Sequence, residues 1–193
     1  MPLSTRFSVL LSAVLFTGFT GCNYDHMEAY EEQIKSMFLV LTPENGGNRI
    51  VLSFLDNDGL GGQDALVNSA TLLENTTYSA QLYIQQMASN DNAKLEHVIV
   101  TTTIIAQPEL HQVFYISKEG LKLEAEYTDA DENGNPVGLE TIIRTGLASE
   151  GSLQLIIIHA PNKSGNQVSE GIVDNAGGKT DLETAFNIVI LPS

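Results

Sequence analysis

Between Leu121 and Thr128 the side chains alternate without exception: Leu121, Leu123, Ala125 and Tyr127 fall on one face, Lys122, Glu124, Glu126 and Thr128 on the other. A period of two is the repeat of a strand with one buried and one wetted face, the usual state of an antiparallel sheet packed on a core. The same pattern runs through Tyr78, Ala80, Leu82 and Ile84, through Met37, Leu39 and Leu41, and through Phe186, Ile188 and Ile190. Further strands are expected at 48–55, 98–105, 111–117, 139–145 and 152–159. The segment 98–105 (VIVTTTII) is assigned on its β-branched content. No segment carries a helical period long enough to compete. About nine short strands separated by Gly, Asn, Asp and Pro predict an all-β fold of two packed antiparallel sheets, an immunoglobulin-like sandwich, with a closed barrel as the alternative.

The amino-terminal end reads differently. One positive charge lies within Met1–Arg6, Phe7–Phe19 is uncharged, and Thr20 and Gly21 lead into Cys22. This is the order of a cleaved secretory leader, and its apolar stretch is shorter than the roughly 20 residues that span a bilayer. Phe19-Thr20-Gly21-Cys22 looks like a lipobox, with Phe where Leu is usual, so Cys22 is the expected lipidation site. It is the chain's one cysteine, which rules out an intramolecular disulfide. Two acyl chains on that residue are what stable anchoring takes. Cleavage after residue 21 leaves 172 of 193 residues, a length that suits one domain. The leader holds one of the nine basic residues and none of the 24 acidic ones, so the net charge goes from −15 to −16. Such acidity argues against nucleic acid as a partner.

Residues 22–34 are expected to form the lipidated cysteine and an acidic tether, with Asp25, Glu28, Glu31 and Glu32, reaching at most ~40 Å when extended. Residues 35–193 form the sandwich. Acidic residues soon after the lipidated cysteine resemble the signal that exports lipoproteins of the Bacteroidota to the cell surface. The expected location is the outer membrane, on either its outer or its periplasmic face.

Several loops carry groups that could do chemistry. Asp129 to Glu140 satisfies D-x-D-x-N-G-x5-E, the calcium loop in which Asp129, Asp131, Asn133 and Glu140 supply oxygens, and calcium is the candidate cofactor. The loop lies between expected strands instead of helices, a context in which Asn133-Gly134 also makes a favoured hairpin turn. A second acidic turn runs from Asp56 to Gly62. Of the four histidines, His26, His97, His111 and His159, a transition-metal set of Glu109, His111 and His159 is conceivable if the fold brings them together. Residues 175–180 end in Gly-Lys-Thr, but position 173 is Val where a phosphate loop needs Gly. There is no G-x-S-x-G elbow, no catalytic thiol once Cys22 is acylated, and no Trp. No catalytic residues are assigned, and a non-enzymatic protein is expected.

With these residues in view, the chain resembles a family of small Bacteroidota lipoproteins often labelled type 1 periplasmic binding fold proteins. The resemblance rests on 75–78 (NTTY), 109–115 (ELHQVFY), 127–139 (YTDADENGNPVGL), 159–163 (HAPNK) and 175–187 (NAGGKTDLETAFN). The label implies repeated parallel βαβ units, whereas the alternating strands here supply none. The segment 98–106 is apolar and Thr-rich where relatives are acidic. The resemblance implies a cell-envelope protein encoded beside a TonB-dependent outer-membrane receptor, and so an accessory or ligand-capture lipoprotein. A structural or adhesive surface domain, stabilised by calcium, is the alternative.

Overall fold

The computed structural model describes residues 34–58, 62–89, 95–98 and 100–193. The leader, Cys22, His26 and the tether up to residue 33 therefore lie outside the described residues, as does the centre of the Asp56–Gly62 turn. The chain forms strands β1 (Ile34–Pro43), β2 (Ile50–Leu55), β3 (Leu66–Val67), β4 (Ala70–Leu73), β5 (Thr77–Ser89) and β6 (Leu95–Val98). A short helix, α1 (Val100–Ala106), precedes β7 (His111–Lys118), β8 (Leu123–Tyr127), β9 (Glu140–Thr145), β10 (Ser149–His159) and β11 (Lys179–Leu191).

These strands make two sheets. The larger has the order β3-β2-β1-β5-β9-β8, with β6 also beside β5, and the smaller has the order β4-β11-β10-β7. Both sheets are open, so the architecture is the all-β sandwich and not the closed barrel. All pairings are antiparallel except β4 with β11, where Ala70 to Leu73 run parallel to Ile188 to Leu191.

The alternation read from the sequence is the alternation of burial. Met37, Leu39, Leu41, Leu82, Ile84, Leu153, Leu155, Ile157, Phe186, Ile188 and Ile190 meet in one core between the sheets. Each such side chain contributes about 1.5–3 kcal/mol when fully buried. The run Ile156-Ile157-Ile158 breaks the alternation because the smaller sheet is covered on its outer face too. There Phe114, Ile156 and Ile158 pack with Val168 and Ala176 of the segment that joins β10 to β11.

One expected strand is not a strand. The segment 98–105 supplies the end of β6 and then helix α1, against its β-branched composition. Position decides: as a helix it places Val100 and Ile104, four residues apart and therefore on one face, into the core. It also places Thr101 against β5, where the Thr101 hydroxyl accepts the Ile84 N–H at 2.7 Å. Tertiary packing has overridden propensity. The short strands β3, β4 and β6 are additions to those expected.

Candidate functional site

Strand β5 is the longest in the larger sheet, and its second edge is shared. Strand β9 pairs with residues 77–81 and β6 with residues 86–89. The two partners leave a gap between them, and a gap in a sheet leaves backbone groups that need other partners. Two local groups fill that need: Leu82 N–H donates to the Leu139 carbonyl at 2.8 Å, and Ile84 N–H to Thr101 Oγ1. A cleft of about 440 Å³ opens at this split, lined by Gln81, Leu82, Tyr83, Thr101, Ile105, Pro108, Asp129, Ala130, Val137, Leu139 and Glu140. Tyr83 and Ile105 are 46% and 65% exposed, so two large apolar side chains stand at its mouth.

The far wall of the cleft is the loop that carries the calcium-like motif. Asp129 accepts backbone N–H groups from Gly138 and Leu139, both at 2.7 Å, and from Glu140 at 3.1 Å. Its carboxylate is therefore the staple that closes the loop. Asp131 is buried; its Oδ1 accepts the N–H groups of Asn133 and Asn135 at 2.9 Å, and its Oδ2 meets Lys163 Nζ at 3.1 Å. Lys163, itself buried, donates further to the carbonyls of Pro108 at 2.7 Å and Pro136 at 2.9 Å. One ammonium thus ties two of the cleft-lining segments, the Pro108–Leu110 turn and the 129–140 loop, to the segment after β10. Burial pushes the Asp131 pKa up, but the hydrogen bonds from Asn135, Lys163 and Asn133 outweigh it and hold the carboxyl below its usual 3.8. Burial pulls the Lys163 ammonium below its usual 10.5, against the opposing pull of Asp131.

The loop also lies against β7. Tyr115 OH donates to the Gly138 carbonyl at 2.7 Å and Tyr127 OH to the Val113 carbonyl at 2.9 Å. Burial raises both phenols, Tyr127 to about 12. Gly138 has φ +92, and a Cβ there would sit 2.7 Å from the Val113 carbonyl, so this approach requires glycine.

Of the four residues in the calcium motif, then, Asp129 and Asp131 are turned to separate internal donors, and Asn133 and Glu140 are exposed. Among the described residues the one group of three metal-ligating side chains lies elsewhere: His111, His159 and Asp181, with ligand atoms all within 4.8 Å of one another. His111 and His159 were paired in the expectation from sequence, and they face each other across β7 and β10. Glu109 is exposed on the preceding turn and is not in the group. Asp181 takes its place. In the second acidic turn, Asp58 accepts the Gln63 N–H at 2.9 Å. For His97 the structure gives its strand, β6, and its pairing with Met87.

Fold and site together define a class: an all-β sandwich with a cleft where the larger sheet divides and a histidine–carboxylate group at the end of the smaller one. Compared with known proteins, the chain matches no family model, no curated protein and no solved structure. No described helix is long and apolar enough to cross a membrane.

Proposed function

We propose that this protein is a non-enzymatic capture lipoprotein of the cell envelope, held on the outer membrane through Cys22 and working beside a TonB-dependent receptor. The observation that carries the reading is the cleft at the β6/β9 split. Its volume falls in the 300–1,000 Å³ range common for small-ligand sites. Leu82, Tyr83, Ile105, Val137 and Leu139 offer it an apolar lining, and Glu140 offers an exposed carboxylate. That combination favours a small molecule with an apolar body and a cationic or donor-bearing end. The chain's net charge of −15 favours the same sign of ligand. The cleft walls are fixed by Lys163, Asp129 and Thr101 before any ligand arrives, which lowers the ordering cost of binding.

Affinity purification of the tagged full-length protein from native membranes, beside Cys22→Ser, tests the assignment. The parent is expected in the membrane fraction with an outer-membrane receptor or a retained small molecule, and the Cys22→Ser protein is expected in the soluble envelope fraction. A parent that returns neither partner points to the structural or adhesive alternative. A Cys22→Ser protein that stays on the membrane with its leader cleaved contradicts the anchor.

A further inference from the structure

Residues 180–182 hold an irregularity that the ladder does not need. Strand β10 pairs Ile157 with Leu182 and then Ile158 with Thr180, which leaves Asp181 as the extra residue of a β-bulge. A bulge breaks the strict alternation and re-aims a side chain. Here it brings the Asp181 carboxylate into the group with His111 and His159. Nearby, Gly178 has φ +74, and a Cβ there would sit 2.5 Å from the His159 carbonyl, so β11 can close on the end of β10 only with glycine at that position.

The hydrogen bonds of the pair set its proton inventory. His111 is 1% exposed, and its Nδ1 lies 3.0 Å from the Gln107 carbonyl, which can only accept. Nδ1 therefore carries the His111 proton, and Nε2 keeps its lone pair. His159 Nδ1 lies 3.1 Å from that Nε2 and so is the donor in the bond between the rings.

We propose that His111 Nε2, His159 Nδ1 and an Asp181 carboxylate oxygen form a binding site for a divalent transition-metal ion of the zinc class. Three features of the geometry support it. Metal–nitrogen bonds of about 2.0–2.1 Å at a tetrahedral angle put two ligand nitrogens roughly 3.3 Å apart, and the pair already stands at 3.1 Å. A ligating imidazole almost always gives its other N–H to a carbonyl or carboxylate, which is the role Gln107 plays for His111. The bulge, finally, adds a carboxylate to two imidazoles, a donor set suited to zinc and its neighbours and not to calcium. Loading requires the His159 proton to sit on Nε2 instead of Nδ1, an exchange open to this partly exposed ring through water. The Asp181 carboxylate must also move inward. Three protein ligands leave at least one position open, so the ion is exchangeable. The site is separate from the cleft and does not depend on the capture reading.

The test uses the full-length protein in detergent, stripped with chelator and titrated with Zn2+ by calorimetry and with Co2+ by visible absorption. One equivalent of each ion is expected, with Co2+ giving ligand-field bands. Asp181→Asn and His159→Gln are each expected to weaken binding by at least ~10-fold, the lower end of what even outer-shell partners contribute. Asp181 and His159 are only partly buried, so both variants are expected to keep the parent's circular dichroism, and Asp181→Asn leaves the histidine pair in place should His159→Gln misfold. Absence of a stoichiometric site in the parent overturns the proposal. So does parent-like affinity in Asp181→Asn. A parent that binds no metal but retains a ligand in the cleft rejects this site and leaves the proposed function standing.

Discussion

Lys163 is the residue on which most of the cleft geometry converges, and its partners dictate what its loss does. It is buried against a buried Asp131, and removing one member of such a pair leaves an uncompensated charge, which costs about 3–5 kcal/mol. Lys163→Met is expected to destabilise by that amount in urea unfolding, and Lys163→Met with Asp131→Asn by clearly less. Equal losses in the two would mean that the donations to Pro108 and Pro136 matter more than the charge pair. The pH dependence has a definite sign. Asp131 has a folded pKa below 3.8, so its contribution is complete above that value and is lost as pH falls through the folded one. Lys163 has a folded pKa below 10.5; the cost of keeping it charged is present below the folded value and fades as pH rises towards 10.5. Both make stability rise with pH, and the double variant is expected to flatten the acid limb. The pairing was not legible in the sequence. Asp131 and Lys163 are 32 positions apart, and the D-x-D-x-N-G spacing draws attention to a cation from outside when the chain supplies its own.

Among the elements, helix α1 is where composition misleads most. Its β-branched residues suit a strand, and nothing local says that β5 is bordered by two diverging partners with a space for about two turns of helix. Thr101 joins that helix to the stretch of β5 between its two strand partners, where Ile84 is buried. Thr101→Val keeps the shape and removes the acceptor, leaving the Ile84 N–H unpartnered at a cost of about 1–3 kcal/mol. The expected result is a drop of that size in unfolding free energy, together with faster hydrogen exchange at Ile84; unchanged exchange there would contradict the docking. The long alternating strands were legible because one face of each is buried and register errors would expose it. The short ones were not: β4 has four residues and owes its existence to β11, more than a hundred positions further along the chain. The bulge at Asp181 escapes notice for a related reason. An extra residue in β11 shows only against the register of β10, so sequence proximity suggested Glu109 as the third ligand where the fold provides Asp181.

At the scale of the whole molecule, the described residues form an all-β sandwich with a cleft where the larger sheet divides, and Cys22 is the proposed anchor. The sandwich was legible from periodicity alone, while the cleft was not, since its walls come from β5, α1 and the 129–140 loop and meet only after the larger sheet divides. Its mouth offers a substitution that leaves the core untouched: Ile105 is 65% exposed. The most direct measurement is native mass spectrometry of the detergent-extracted protein from its own membranes, with Ile105→Glu alongside. A small-molecule adduct is expected on the parent and is expected to be absent or strongly reduced on Ile105→Glu, with both proteins melting at similar temperatures. A parent without an adduct, or an adduct of equal abundance on both, would contradict it.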